Sequence, residues 1–198
     1  MKVKTSKRLL AYVLDIVIFF IFTLIALLFI PSSDKVIELS KNLDKLGELV
    51  LEESITLGNY LTSSADIIQK IDKLELIPNI VNVFFIILLF IVVPYITKGQ
   101  TLGMIISKIK LIKTNREKPS MLDYILRASL VYFLGYSLIT ILIVNFIPSI
   151  VYFVIASILL FLEILLVIIS FFMLLYRHDR RGLCDILTKT KVVKCKRW

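Results

Sequence analysis

Four long runs of apolar residues constrain the fold of this chain more than any other feature. A transmembrane helix needs roughly 17–25 mostly apolar residues to cross about 30 Å of hydrocarbon. The hydrophobic fraction of 58% also exceeds the ~45–50% that is typical of soluble domains. The sequence therefore predicts an all-α membrane protein with about four transmembrane helices, folded as one domain over residues 1–198. The predicted spans are residues 9–30, 80–96, 129–147 and 150–176.

The first apolar run differs from a secretory signal peptide in three respects. It is longer than the ~7–15 residues of a signal-peptide core, it contains Asp15, and no A-x-A cleavage pattern follows it. We therefore expect this run to remain in the chain as an uncleaved membrane anchor.

The distribution of Lys and Arg predicts the orientation of the spans. Basic residues number 4 before the first span, 7 in residues 98–127 and 8 in residues 177–198, whereas residues 34–77 carry 5 basic and 9 acidic residues. Because basic loops stay on the cytoplasmic side, both termini should be cytoplasmic and residues 34–77 should form an extracytoplasmic loop. The net charge of +9, gathered beside the spans, favours anionic lipid headgroups over nucleic acid as the partner.

Two regions outside the spans have regular patterns of their own. Residues 34–77 contain two apolar stripes at three-and-four spacing, one on each side of Gly58, which predict a helical hairpin. Residues 102–109 form a short amphipathic stretch, residues 108–113 alternate Lys with Ile or Leu, and residues 190–195 are similar. This alternation predicts two edge strands that pair with each other. We expect a small layer of amphipathic helix and β-ribbon at the cytoplasmic surface.

Two acidic residues lie inside the apolar runs, Asp15 in the first and Glu163 in the fourth. An acid in hydrocarbon costs about 2.5–3.5 kcal/mol, so it usually faces protein or water and has a partner. Arg127 is the interhelical partner expected for Asp15, and a hydroxyl group of the third span is expected for Glu163. The candidate hydroxyl groups are those of Tyr136, Ser137 and Thr140. Under one hypothesis both acids only hold helices together, and under the other they form an ion or proton site; the sequence leaves both open.

The sequence carries no pattern of a known enzyme site. It lacks the HExxH, GxSxG, P-loop and dinucleotide-binding glycine motifs. Cys184 and Cys195 do not have the spacing of a metal site, and on the cytoplasmic side both should stay reduced. We expect no catalytic activity, no cofactor and no bound metal.

Three segments make the chain similar to a known family. They are KRLLAYVLDIVI near the N-terminus, GQTLGMIISKIKLI after the second span and RRGLCDILTKTKVV near the C-terminus. With an Arg before the third span, they resemble the RDD family of small bacterial membrane proteins, named for one Arg and two Asp, over residues 7–193. The matching residues are Arg8, Asp15, Gly99, Gln100, Thr101, Gly103, Arg127 and Asp185. Met104 and Cys184 depart from the family's pattern, in which Lys or Arg and His are common at these positions.

The resemblance implies a location and a range of functions. It implies a multi-pass protein of the bacterial cell membrane in which Arg8, Asp15, Arg127 and Asp185 form a polar cluster near the cytoplasmic interface. Most members of the family have no assigned activity; transport of unidentified ligands is proposed for the family, and cation/proton exchange for some members. In the transport hypothesis Asp15 and Glu163 bind a cation or H⁺, and a homo-oligomer encloses the path. In the alternative, the chain is a non-enzymatic scaffold whose acidic loop or basic tail docks a protein partner.

Overall fold

The computed structural model of the chain describes residues 3–31, 33–179 and 181–195. Most of these residues are helical, and two strands form a small sheet. The helices are α1 (Thr5–Leu27), α2 (Asp34–Leu51), α3 (Leu57–Leu74), α4 (Leu76–Ile87), α5 (Val93–Ile96), α6 (Leu102–Ile106), α7 (Met121–Val131), α8 (Leu134–Ile143), α9 (Ser149–Tyr176) and α10 (Leu183–Leu187). A π-helical segment, Leu88–Val92, joins α4 to α5. The strands are β1 (Ile109–Lys113) and β2 (Thr190–Lys194).

Three helical segments are long and apolar enough to cross a membrane. They are α1, the stretch Leu76–Ile96 that runs from α4 to α5, and α9, which is the longest with 28 residues. A fourth span is present when α7 and α8 are counted as one bent segment. The prediction of an all-α membrane protein with about four transmembrane helices is therefore confirmed.

The single helix predicted for the third span, residues 129–147, is not formed, because this region consists of two helices at a sharp angle. α7 begins earlier, at Met121, and the axes of α7 and α8 meet at 78°. Phe133, between the two helices, has a left-handed backbone with a φ of 58°. This conformation costs a residue with a side chain roughly 1–2 kcal/mol, so the packing around it must hold it. Neither Tyr132 nor Phe133 is a helix breaker, and the one local signal is Gly135, two residues after Phe133.

The predicted β-ribbon is present at one end of the helices, which we call the ribbon end. β1 and β2 pair antiparallel, with Leu111 opposite Val192 and Ile109 opposite Lys194. Ile109, Leu111 and Val192 are buried, together with Val3 from the start of the chain. A two-stranded ribbon is only marginally stable by itself. The burial of these apolar side chains explains why the ribbon is stable here.

The predicted helical hairpin is formed by α2 and α3, and we call this side of the bundle the hairpin end. α2 has no buried residue, whereas α3 buries Ser64, Ala65 and Gln69. α3 leads through Glu75 directly into α4 and packs against α9. The hairpin is therefore docked on the bundle through α3. Its position outside the cytoplasm stays a prediction.

Polar side chains of α3 fasten the turn between α8 and α9. Gln69 Nε2 donates hydrogen bonds to the carbonyl oxygens of Val144 (2.9 Å) and Ile147 (2.8 Å). Ser149 Oγ donates to a carboxylate oxygen of Asp66. The last carbonyl groups of a helix lack partners within that helix, so these bonds from Gln69 satisfy groups that the apolar surroundings could not.

The hydrophobic core lies between α1, α4, the π-helical segment, α7 and the ribbon. Its buried members include Ala11, Val83, Phe90, Ala128 and Leu134. α9, which the structure describes throughout, buries only Tyr152. This longest span therefore lies on the outside of the bundle.

Candidate functional site

Asp185 joins two arginines at the ribbon end. Its Oδ2 lies 3.2 Å from Arg8 Nη1, and its Oδ1 lies 2.6 Å from Arg127 Nη1. Arg8 Nη2 also donates to the Val192 carbonyl of β2 at 3.3 Å. Asp185 is placed by the short helix α10, which begins directly after Gly182, and only 4% of the residue is exposed. The three charged groups thus connect α1, α7 and α10 through one partly buried network.

Asp15 makes a separate set of hydrogen bonds with the start of α6. Its Oδ2 accepts from Thr101 Oγ1 at 2.6 Å, and its Oδ1 accepts from the Gly103 backbone N–H at 2.7 Å. The expected Asp15–Arg127 ion pair is not among the ion pairs of the described residues, because Arg127 binds Asp185 instead. α6 packs on α1 and brings its unsatisfied N-terminal N–H groups to Asp15, a non-local contact that sequence spacing does not reveal.

The glycines and the glutamine after the second span allow this contact. A Cβ on Gly103 would collide with the Ala11 carbonyl oxygen and come within 2.9 Å of Asp15 Oδ1. Gly99 has a φ of +106°, and a Cβ there would collide with the Leu111 carbonyl oxygen. Gln100 Nε2 donates to the Ile109 carbonyl at 2.8 Å. Gly103 therefore lets α6 pack closely on α1, and Gly99 and Gln100 hold the chain before α6 next to β1.

The four charged residues line one cavity of about 140 Å³, which we call the signature cavity. The structure thus brings Arg8, Asp15, Arg127 and Asp185 together around a common space. Other polar lining groups are Tyr12, Tyr132 and Ser170, and the remainder is mostly apolar side chains of α1 and α9. With two basic and two acidic groups, the formal charge of the wall is balanced.

Glu163 lies at the break in the third span, away from the signature cavity. Its Oε1 accepts a hydrogen bond from the Tyr136 backbone N–H at 3.0 Å. Its Oε2 is buried and has no hydrogen-bond partner among the described residues. A Cβ on Gly135 would already lie 3.1 Å from Oε1, so this glycine permits the close approach. The carboxyl group of α9 thus caps the first turn of α8.

The partner of Glu163 differs from the hydroxyl group expected from the sequence. The hydroxyl groups of Ser137 and Thr140 donate to carbonyl oxygens of their own chain segment instead. Glu163 does not line the signature cavity with Asp15. The structure therefore does not bring the two acids of the predicted ion or proton site into one cavity.

An aromatic stack lies next to the break. The rings of Phe90 and Tyr132 are 3.5 Å apart between centroids and lie within 3° of parallel. Phe90 belongs to the π-helical segment of the second span, and Tyr132 directly precedes the left-handed Phe133. Tyr132 also lines the signature cavity. Irregular backbone in two neighbouring spans therefore meets at this stack.

A second polar cavity, of about 130 Å³, lies at the hairpin end. It was not predicted from the sequence. We call it the hairpin-end cavity. Its polar lining residues are Asp72, Asn79, Asn82, Tyr136, Ser137, Thr140 and Tyr152. Tyr152 donates to Asp72 Oδ2 at 2.5 Å. Burial raises the pKa of Asp72, and the bond from Tyr152 opposes this shift. The available signal was a pair of asparagines, Asn79 and Asn82, at the start of an apolar span. Residues three apart lie on the same face of a helix, so this pair indicated a polar patch on the second span.

No group of three or more His, Cys, Asp or Glu side chains within 3–31, 33–179 and 181–195 is arranged to hold an ion. Cys184 and Cys195 are free thiols, and burial raises the pKa of Cys184. A thiol that stays protonated is a weak nucleophile and a weak ligand.

Comparison with known protein families identifies one match. The model of the RDD family matches residues 3–189, which is nearly the whole chain. Comparisons with curated proteins and with solved structures gave no match.

Proposed function

The chain belongs to the RDD family, and we propose that it is a transporter of the bacterial cell membrane that moves a small ligand or cation coupled to H⁺. In this proposal it has no catalytic activity, and its lipid contacts are with anionic headgroups beside the basic segments.

The observation that carries the proposal is the break in the third span. Transporters bind substrates and coupling ions where spanning helices are interrupted, since the interruption frees backbone polar groups within the membrane. Each such group costs several kcal/mol if left unsatisfied in lipid. Here a single carboxyl group, Glu163, satisfies the Tyr136 N–H and retains a second buried oxygen without a partner among the described residues. One hydrogen bond of this kind can be released and formed again during a transport cycle.

The signature cavity supplies the binding site of the proposal. A ligand entering it meets both charge types, because Arg8 and Arg127 face it together with Asp15 and Asp185. An acidic ligand group can replace Asp185 at the arginines, and a cation or H⁺ can bind at Asp15. Passage toward the hairpin end then requires the stacked rings of Phe90 and Tyr132 to separate.

A scaffold is the second candidate function, and the exposure of α9 favours it. The 28 residues of α9 bury only Tyr152, so one face of the longest span is available to another protein within the bilayer. α2 is likewise amphipathic without a buried residue. A scaffold would use α9, the acidic hairpin or the basic tail to dock a partner. A transporter would use α9 to form the homo-oligomer that widens its path.

Ion flux into proteoliposomes tests transport directly. The vesicles enclose a pH-sensitive dye, and an inward Na⁺ or K⁺ gradient is applied to the parent, Asp15→Asn and Glu163→Gln. Glu117→Gln is the matched control, because it removes one acidic charge from an exposed turn. We expect cation-dependent pH changes in the parent and the control, and at least a tenfold lower rate in the other two variants.

The same measurement separates the two candidates. No flux from parent protein that is monodisperse and correctly inserted would reject transport and favour the scaffold. Loss of a co-purified partner after deletion of residues 34–77 would favour the scaffold as well.

A further inference from the structure

The hairpin-end cavity lies apart from the family's charged residues, and four helices build its polar wall. α3 contributes Asp72, α4 contributes Asn79 and Asn82, α8 contributes three hydroxyl-bearing residues and α9 contributes Tyr152. Asn82 Oδ1 is buried and has no hydrogen-bond partner among the described residues. A buried acceptor without a donor costs about 1–3 kcal/mol, so a cationic or donating ligand would relieve this cost.

The donor set of this cavity is that of a hard cation. Its polar side chains offer one carboxylate, two amide groups and four hydroxyl groups, and within the described part of the chain no Lys, Arg or His lines it. Oxygen donors of these kinds are the ligands that hard cations prefer. Tyr152 bonds to Oδ2 of Asp72, which leaves Oδ1 without a hydrogen bond from the described residues.

Helix ends of both signs meet at the cavity. α3 ends at Leu74, two residues after Asp72, and α8 ends at Ile143, whereas α4 begins at Leu76, which lines the cavity, and α9 begins three residues before Tyr152. Because helix C-termini carry a partial negative charge and N-termini a partial positive one, these ends offset one another, and the charge of the site comes from its side chains. Burial and then the nearby charge of Asp72 raise the pKa of Glu75, so a second acidic group lies close to Asp72. Lys70 and Lys73 of α3 are exposed and are not part of the wall.

From this geometry we propose that the hairpin-end cavity binds a small monovalent cation, with Asp72 Oδ1 as the charged ligand and Asn82 Oδ1 as a neutral one. A cavity of about 130 Å³ accommodates the ion and several waters, since one water needs only about 10–15 Å³ of such space. A single carboxylate balances one positive charge, whereas sites for divalent cations generally use more acidic ligands. The site can bind its ion whether or not the chain transports it.

Equilibrium binding of radioactive Na⁺ to the full chain in detergent tests the proposal without a membrane gradient. In a choline chloride buffer we expect saturable binding to the parent that excess unlabelled NaCl displaces and further choline chloride does not. Asp72→Asn should weaken binding at least tenfold, and Asn82→Leu should weaken it severalfold. Asp66→Asn is the matched control on α3, because Asp66 bonds to Ser149 and does not line the cavity.

Three results would overturn the proposal. They are absence of saturable binding by the folded parent, unchanged Na⁺ affinity in both Asp72→Asn and Asn82→Leu, and displacement of Na⁺ by Mg²⁺ or Ca²⁺ at far lower concentrations than by Na⁺. Circular dichroism and gel filtration establish folding, and if Asp72→Asn does not fold, Asn82→Leu decides. Na⁺ binding without flux would reject transport alone, and flux without Na⁺ binding would reject this site alone.

Discussion

Single residues at the ribbon end each hold two parts of the chain together. Asp185 ties α1 to α7 through Arg8 and Arg127, and Asp15 ties α1 to α6 through Thr101 and a backbone N–H. The two aspartates thus have different partners although they face one cavity. The stability of the fold should depend on these pairings, because a buried charge that loses its partner raises the free energy of the folded state.

Asp185→Asn should destabilise the protein strongly. The substitution leaves Arg8 and Arg127, both partly buried, without their shared counter-charge, a change that costs up to about 3–5 kcal/mol when a pair is fully buried. Thermal unfolding in detergent measures the effect. Asp179→Asn is the control, since Asp179 pairs with Arg177 at an exposed position, and its melting temperature should match that of the parent. Equal melting temperatures for both variants would contradict this role of Asp185.

Gly103→Ala should loosen α6 from α1. The added Cβ meets the Ala11 carbonyl oxygen and Asp15, and overpacking of this kind costs about 1–3 kcal/mol. Gly47→Ala in α2 adds the same methyl group where no heavy atom lies within 4 Å, so it should leave stability unchanged or slightly higher. A comparison of the two melting curves checks the contact, and a neutral Gly103→Ala would show that α6 does not lie this close to α1.

At the scale of elements, the spans, the hairpin and the ribbon could be predicted from the sequence. Continuous apolar runs define spans, three-and-four spacing defines helices, and the alternation of Lys with Ile or Leu in residues 108–113 defines a strand. The position of the break after Val131 could not be predicted, because Phe133, which adopts the left-handed conformation, is not a residue that favours it, and Gly135 is the only local signal. The partners of Asp15 and Glu163 could not be predicted either, because the Thr101 hydroxyl and the N–H groups of Gly103 and Tyr136 are brought to them by tertiary packing from segments far away in sequence.

Because the Glu163 carboxyl group accepts a hydrogen bond from the first turn of α8, two substitutions of Glu163 should differ in their effect on the melting temperature. Glu163→Gln keeps an oxygen that accepts from the Tyr136 N–H, so the melting temperature should stay near that of the parent. Glu163→Leu leaves this N–H without its acceptor in apolar surroundings, at a cost of about 1–3 kcal/mol. Equal stability of the two variants would mean that the carboxyl group does not stabilise the break.

At the scale of the whole molecule, two polar cavities lie at opposite ends of the bundle. The signature cavity is at the ribbon end, the hairpin-end cavity is beside α3, and the break between α7 and α8 supplies lining residues to both, Tyr132 to the first and Tyr136 to the second. The charge distribution predicts that the ribbon end is cytoplasmic. A path between the cavities would therefore cross the membrane at the break.

Single-cysteine labelling tests this orientation. In a chain with Cys184 and Cys195 replaced by Ser, a cysteine at Ser54 in the hairpin should react with a membrane-impermeant maleimide in intact cells. A cysteine at Asn115, in the turn after β1, should react only after permeabilisation. Both positions are exposed, so accessibility within the fold does not limit either reaction. The reverse labelling pattern would invert the topology.

In the proposed transport cycle, the stacked rings of Phe90 and Tyr132 must separate for an ion to pass from one cavity to the other. Proteoliposome flux tests this step after a short, reducible cross-linker joins cysteines introduced at these two positions in the background without native cysteines. Cross-linking should lower the flux at least tenfold, and a reductant should restore it. The Tyr132→Cys single variant, treated in the same way, should keep its rate. Unchanged flux through fully cross-linked protein would show that these two positions do not have to separate.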